Sequence, residues 1–187
     1  MSLQALAQQP FELLLELERR ARAAIAAREG APTADDEWVG IGFRLGAEKF
    51  VTSRADVREV LPIPEQVTRV PGAKPWLRGI ANLRGQLLTV VDLKSFLGSG
   101  APSADRQARV LVCASREVPT GLIVDEVIGF RRFSSADYHD EAAPSVIRCE
   151  HYLEGSYRRG PEAWPRFSLL KLLEDPQFLT AGETVRP

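Results

Sequence analysis

The sequence is short of the residues that most often carry chemistry. Two cysteines, Cys113 and Cys149, and two histidines, His139 and His151, are spread over 187 residues. That excludes a disulfide framework and leaves few soft ligands for a metal site, which takes three or four. Net charge is nearly absent too, since 24 basic against 25 acidic side chains leave −1. A chain built to hold nucleic acid or anionic lipid usually shows a clear basic excess. Aromatic residues make up only 7%, whereas a barrel that stacks single-stranded bases exposes several along one strand face. No apolar run approaches the ~20 residues of a spanning helix. Glu12, Glu16 and Glu18 interrupt the N-terminal leucines, so neither membrane insertion nor a secretory signal is expected. These absences give the expectation of a soluble, cytoplasmic protein.

What is present fits an ordinary globular chain, 44% hydrophobic and 26% charged, of a length that suits one domain plus a short extra element. Residues 1–30 read as that element. Phe11, Leu14, Leu15, Leu17, Ala21, Ala24 and Ile25 recur at three- and four-residue steps, the spacing of an amphipathic helix. Pro10 suits its first turn, and Gly30 with Pro32 its stop. Such a helix can pack on its own domain or dock in a partner's groove, and the pattern serves both. Residues 31–37 (Ala-Pro-Thr-Ala-Asp-Asp-Glu) carry no apolar period and read as a linker.

From Trp38 onward short β-branched runs take over. Strands are expected over 38–45, 49–53, 57–61, 79–83 and 86–91, then over 110–114, 120–124, 127–130, 155–159 and 164–168. Arg84-Gly85 joins two of them in a tight reversal. Leu87, Leu88, Val90 and Val91 leave hardly any polar face, so that strand is expected to be buried on both sides. Asp92 reads as the N-cap of a short helix stopped at Gly98, and Leu169–Leu173 as a second short helix before a C-terminal tail, 176–187. About ten close-spaced strands with isolated helical turns predict an all-β barrel architecture.

Catalytic motifs are not assembled. Cys149-Glu150-His151 offers too few ligands for a metal, and Cys113 lies inside an apolar strand, where a thiol is usually a small hydrophobe. Gly40-Ile41-Gly42 has Leu45 where a dinucleotide fingerprint wants its third glycine, and no helix opens after it. Asp125-Glu126 follows a strand, and its carboxylates are expected to line a turn. Arg69, Lys74, Arg78 and Arg84 face a single acid between residues 65 and 86. That keeps a nucleic-acid-binding small barrel as an alternative, although proline and glycine leave no helix to enter a groove. A glycine-punctuated β framework with charges on tight turns reads as an interaction module without cofactor, metal or catalytic group.

Several stretches agree in order and spacing with one known pattern: Val57-Arg58-Glu59-Val60, Val70-Pro71-Gly72-Ala73, Leu77 through Gly85 (Leu-Arg-Gly-Ile-Ala-Asn-Leu-Arg-Gly), Val90-Val91-Asp92-Leu93, and Gly121 through Val127. Leu153-Glu154-Gly155 and the closing leucine helix fit its end. Over residues 38–175 the chain resembles the CheW family, the coupling proteins of bacterial chemotaxis. With the N-terminal helix and residues 38–43, it is most similar to members attached to type IV pilus twitching systems. The flagellar branch is the alternative.

The resemblance implies a pair of small five-stranded SH3-like β-barrels sharing a hydrophobic seam, and no enzymatic activity. It implies two partners, the cytoplasmic tip of a chemoreceptor and the regulatory domain of a CheA-type histidine kinase, met in the cytoplasm at membrane-associated receptor arrays. It places partner contacts at Arg84 and Glu59, with Val57, Val60, Asn82, Gly79 and Gly85 in the matching motifs. Taken as residues alone, Arg84 and Glu59 are exposed charges, Gly79 and Gly85 backbone devices, and Val57 and Val60 either core or groove lining. In one departure, Thr89 stands where the family usually has proline, which restores a strand N–H donor.

Overall fold

The computed structural model describes residues 37–100, 106–115 and 119–181. The N-terminal helix expected over 1–30 and most of the linker lie outside the described residues. Among the described residues eleven strands form two sheets. β1 (Glu37–Leu45) and β2 (Glu48–Ser53) open the first; β3 (Val57–Pro62), β4 (Leu77–Leu83), β5 (Gln86–Asp92), β6 (Arg109–Cys113) and β7 (Thr120–Val124) make the second. The chain then returns to the first sheet with β8 (Glu126–Ser134), β9 (Tyr138–His139), β10 (Leu153–Arg159) and β11 (Glu162–Phe167). The described residues also hold three short α-helices, α1 (Leu93–Phe96), α2 (Leu169–Glu174) and α3 (Pro176–Leu179). The strand orders are β8-β1-β2-β11-β10-β9 and β3-β6-β7-β5-β4. The second sheet has the expected five strands; the first has six, the sixth being the two-residue β9.

Alternation along the strands explains why two sheets need so many apolar residues. In β6, Leu111 and Cys113 enter a core shared by both sheets, while Val110 and Val112 enter a second cluster private to the five-stranded sheet. In β7, Leu122 and Val124 take the shared side and Ile123 the private one. The six-stranded sheet does the same: Phe43, Phe50 and Phe167 meet in the shared core at 5.6–6.2 Å, whereas Val51, Phe133, Tyr157 and Trp164 form its own cluster. Side chains on successive residues point to opposite faces, so a strand between two cores reads as an unbroken hydrophobic run. β5 follows this rule only from Leu88 onward. Leu87 is 68% exposed, because it faces the side of Val91 but pairs with Asn82 beside the hairpin turn, beyond the end of the shared core.

Gly40 and Gly42 are strand glycines for a steric reason. A Cβ at Gly40 would lie 2.4 Å from the Trp38 ring, and one at Gly42 3.1 Å from Trp164. Thr89 uses the donor that proline would lack, its N–H reaching Pro119 O at 2.9 Å. Asp92 caps α1, with Oδ1 accepting from Ser95 N at 2.8 Å. The start of the expected C-terminal tail is packed instead: Phe178 is buried, stacks on Trp76 at 5.8 Å and meets Phe96 edge-on at 5.1 Å.

One polar tie joins the two sheets. Asp125, between β7 and β8, accepts from Lys94 Nζ at 3.0 Å and from Gly46 N at 2.6 Å; Lys94 lies on α1 and Gly46 in the β1–β2 turn. Next to it, Arg44 Nε donates to Glu126 at 2.9 Å. The two acids thus line a turn, as expected, but Asp125 is buried there and holds it closed. Removing one partner of a buried pair strands the other. Asp125→Ala is therefore expected to lower unfolding free energy by about 3 kcal/mol, read as a shifted urea midpoint with an unchanged slope.

Candidate functional site

The β4–β5 hairpin closes with a two-residue turn, Arg84-Gly85, flanked by the pair Leu83–Gln86. Both central residues have positive φ, 49° at Arg84 and 86° at Gly85, as a reversal that continues the strand twist requires. Asn82 supports the turn, its Oδ1 accepting from Gly85 N at 2.8 Å. Among the described residues Arg84 is the one non-glycine with positive φ, a conformation that costs an L-residue about 1–2 kcal/mol. Strain at one exposed residue is a marker of function when its side chain has work outside the fold.

That side chain reaches a residue 25 positions earlier. Arg84 Nη1 lies 3.3 Å from Glu59 Oε2, although β3 and β4 stand at opposite ends of their sheet's strand order. Arg58 approaches the other oxygen of Glu59 at 3.6 Å and donates to Gln86 Oε1 at 3.2 Å. These contacts bring the two edges of the five-stranded sheet together, and the Thr68–Ile80 bridge ties the β3–β4 connection to β4. The bridge needs Gly79, whose φ is 140° and whose Cβ would fall 2.1 Å from Thr68 O.

Arg58, Glu59, Leu83, Arg84 and Gln86 line an open depression of about 410 Å³. The Arg84 side chain is 77% exposed and that of Glu59 23%. Glu59 is therefore the anchor, and Arg84 presents most of a five-donor guanidinium to solvent, suited to a bidentate hold on a partner's carboxylate. As an internal ion pair so exposed, the contact contributes little to stability.

The other matched residues divide. Val60 is 38% exposed beside Glu59 and is open to a partner. Val57 is corrected: at 1% exposure it belongs to the shared core and presents no surface. A strand with little alternation could not separate the two. Gly79 is buried and acts through the chain approach it permits, while Gly85 and Asn82 shape the turn.

A second surface escaped the sequence reading. Ala55 and Asp56 from the 3₁₀ turn before β3, Ala114 and Ser115 after β6, and Leu169, Leu170 and Leu173 of α2 enclose an apolar groove of about 430 Å³. Three distant segments build it, so no local pattern shows it. The available signal was Leu169-Leu170-Lys171-Leu172-Leu173: one short helix cannot bury four leucines in five residues on one face, and Leu170 is the one left out, 59% exposed. Beneath the groove the Cys113 thiol is pushed up to about 12 by burial and then by the Asp56 charge. Cys149 is held up at about 11, again chiefly by burial, and is buried while Glu150 and His151 beside it are exposed. Neither thiol has the electropositive, accessible setting of a nucleophile.

Two sheets about a shared core, a charged hairpin end and a separate apolar groove define a β-sheet scaffold that offers surfaces. The CheW-like domain matches residues 39–177, and the chain belongs to that family. It is 37% identical over 172 residues to protein PilI of Pseudomonas aeruginosa, covering 92% of this chain and 96% of that one. This likeness is longer than the domain and takes in chain on its N-terminal side. It is also 31% identical to the chemotaxis protein CheW of Bacillus subtilis, over 46% of this chain and 54% of that protein. The crystal structure of the scaffolding protein TtCheW from Thermoanaerobacter tengcongensis superposes with a TM-score of 0.64 at 24% identity, over 75% of this chain and 94% of that one, which shows the fold.

Arg84→Asn separates turn from surface. Asparagine tolerates the left-handed region and is favoured before glycine in such turns. The variant is expected to gain about 1 kcal/mol, a rise of about 2–4 °C in melting temperature for a domain of this size. A fall in the melting curve would show that the guanidinium stabilises the fold.

Proposed function

We propose that this protein is a non-enzymatic adaptor that couples a chemoreceptor to a CheA-type histidine kinase in the control of type IV pilus twitching motility. The observation that carries the reading is the PilI likeness, which runs through the CheW-like domain and continues N-terminal to it. The physical layout supports it. An adaptor needs two surfaces that can be occupied at once, and the apolar groove and the charged hairpin end are built from different residues.

In this reading the groove takes the helical tip of the receptor. An amphipathic helix seats its apolar stripe in such a slot, and the exposed Leu170 supplies the matching surface. The hairpin end, with Arg84 held out from Glu59 and Val60 beside them, meets the kinase's regulatory domain. Signal passes as a change in the relative placement of two bound partners, with no covalent step. The adaptor acts in the cytoplasm and is recruited to receptor arrays; no described helix is long and apolar enough to cross a membrane. The flagellar alternative rests on the CheW relatives, whose likeness covers between 46% and 73% of this chain.

Two substitutions test the layout. Arg84→Glu is expected to weaken binding of the kinase regulatory domain at least tenfold and leave receptor-tip binding in place. Leu170→Glu is expected to do the reverse, and both variants should keep the wild-type melting transition. Wild-type protein that captures neither partner in a side-by-side pull-down would sink the proposal. Loss of twitching with retained swimming in a deletion strain would place the adaptor in the pilus system, and the opposite phenotype in the flagellar one.

A further inference from the structure

Among the groove-lining side chains, Asp56 does not serve the fold. Its backbone carbonyl accepts from Ala114 N at 2.8 Å and closes the end of the β3–β6 pair, a job any residue could do. The carboxylate itself makes no hydrogen bond or ion pair among the described residues. Other acids differ: Glu59, Asp125, Asp137 and Glu154 each hold a cation at 2.9–3.8 Å. The cation whose field reaches Asp56 is Arg166. Arg166 is engaged elsewhere, 3.5 Å from Glu154 and 5.3 Å from the Trp38 ring centre. Glu154 adds a repelling charge, and burial, the largest influence, pushes the Asp56 carboxyl above the usual carboxylate range. A half-buried carboxylate with apolar neighbours and no partner destabilises its own domain.

We infer that Asp56 is a selectivity group for the groove's occupant: the partner helix that lies on Leu170 presents a lysine or arginine at the groove, and Asp56 receives it. The inference rests on the groove reading above. Charge complementarity argues it. Apart from Asp56 the lining is alanine, leucine and one serine, so an occupant without a cation would bury a carboxylate with only the field of Arg166 to offset it, and one with an opposed acid would add repulsion. A correctly placed cation gains a charge-assisted bond in a setting drier than open surface. The carboxylate thus discriminates among amphipathic helices that the leucines alone would accept equally.

The test uses the full chain and a purified helical-hairpin tip of its chemoreceptor, titrated against wild-type, Asp56→Asn and Leu170→Glu, with each lysine and arginine of the tip changed singly to glutamine. Asp56→Asn is expected to bind about tenfold more weakly and to melt at a higher temperature, since it removes an unpartnered charge. One tip cation should matter to the wild type and become indifferent in Asp56→Asn. Equal affinity of wild type and Asp56→Asn, with Leu170→Glu still impaired, would overturn the inference and leave the groove as the receptor site. Binding that Leu170→Glu does not affect would overturn the groove reading itself. A lower melting temperature for Asp56→Asn would show that the carboxylate serves the fold, and would overturn the inference as well.

Discussion

The shared core is the constraint from which the rest follows. Two sheets that meet over one apolar seam, while each also closes around a cluster of its own, must supply hydrophobic side chains to both faces of their central strands. Val110 to Cys113 and Leu122 to Val124 are the outcome, and Gly121 between them has no room for a side chain, with Val110 and Leu88 atoms 2.6 and 2.8 Å from where its Cβ would be. Such strands cannot slip by one residue without exchanging their two cores. Register is thereby fixed, and so is the place of every turn. Recognition at a turn requires that the turn does not wander.

Charge is then free to be used locally. In a chain whose formal charges almost cancel, most described ion pairs join elements far apart in sequence, as Arg44 with Glu126, Lys94 with Asp125 and Arg84 with Glu59 do. They differ in burial and hence in worth. The tie at Asp125 is enclosed and holds the crossing between sheets, whereas Arg84 is mostly in water and owes the fold little. Asp56 falls between them in burial, a carboxylate that feels Arg166 but makes no ion pair among the described residues.

Much of the framework was legible. Runs of valine, isoleucine and leucine gave the strands, Arg84-Gly85 gave the hairpin, and Asp92 before a short apolar run gave the cap. Residue motifs in register gave the family. The unread parts share one cause: they depend on which segments meet. Val57 and Val60 look alike in sequence, and the bulge between Val57 and Glu59 sets both on one face, opposite Cys113 and Leu111; only the reach of the seam separates the buried one from the open one. Leu87 looks like core because its neighbours are, yet it lies past the end of the shared core. Phe178 looks like tail until Trp76 is brought beneath it. The groove is the extreme case, three segments more than fifty residues apart in the chain at its widest joins, each unremarkable alone.

The rings over Gly40 and Gly42 have a consequence for how this sequence can change over time. Trp38 and Trp164 lie where ordinary side chains would be, so bulk at the glycines and bulk at the tryptophans is a joint quantity, divisible in only one way at a time. A methyl group gained at position 42 needs the Trp164 ring to give by a few tenths of an ångström, and the Lys49 and Arg131 side chains that lie over that ring would have to follow it. Lineages that keep the tryptophans are therefore held to the glycines, and a descendant that abandons one is free to abandon the other.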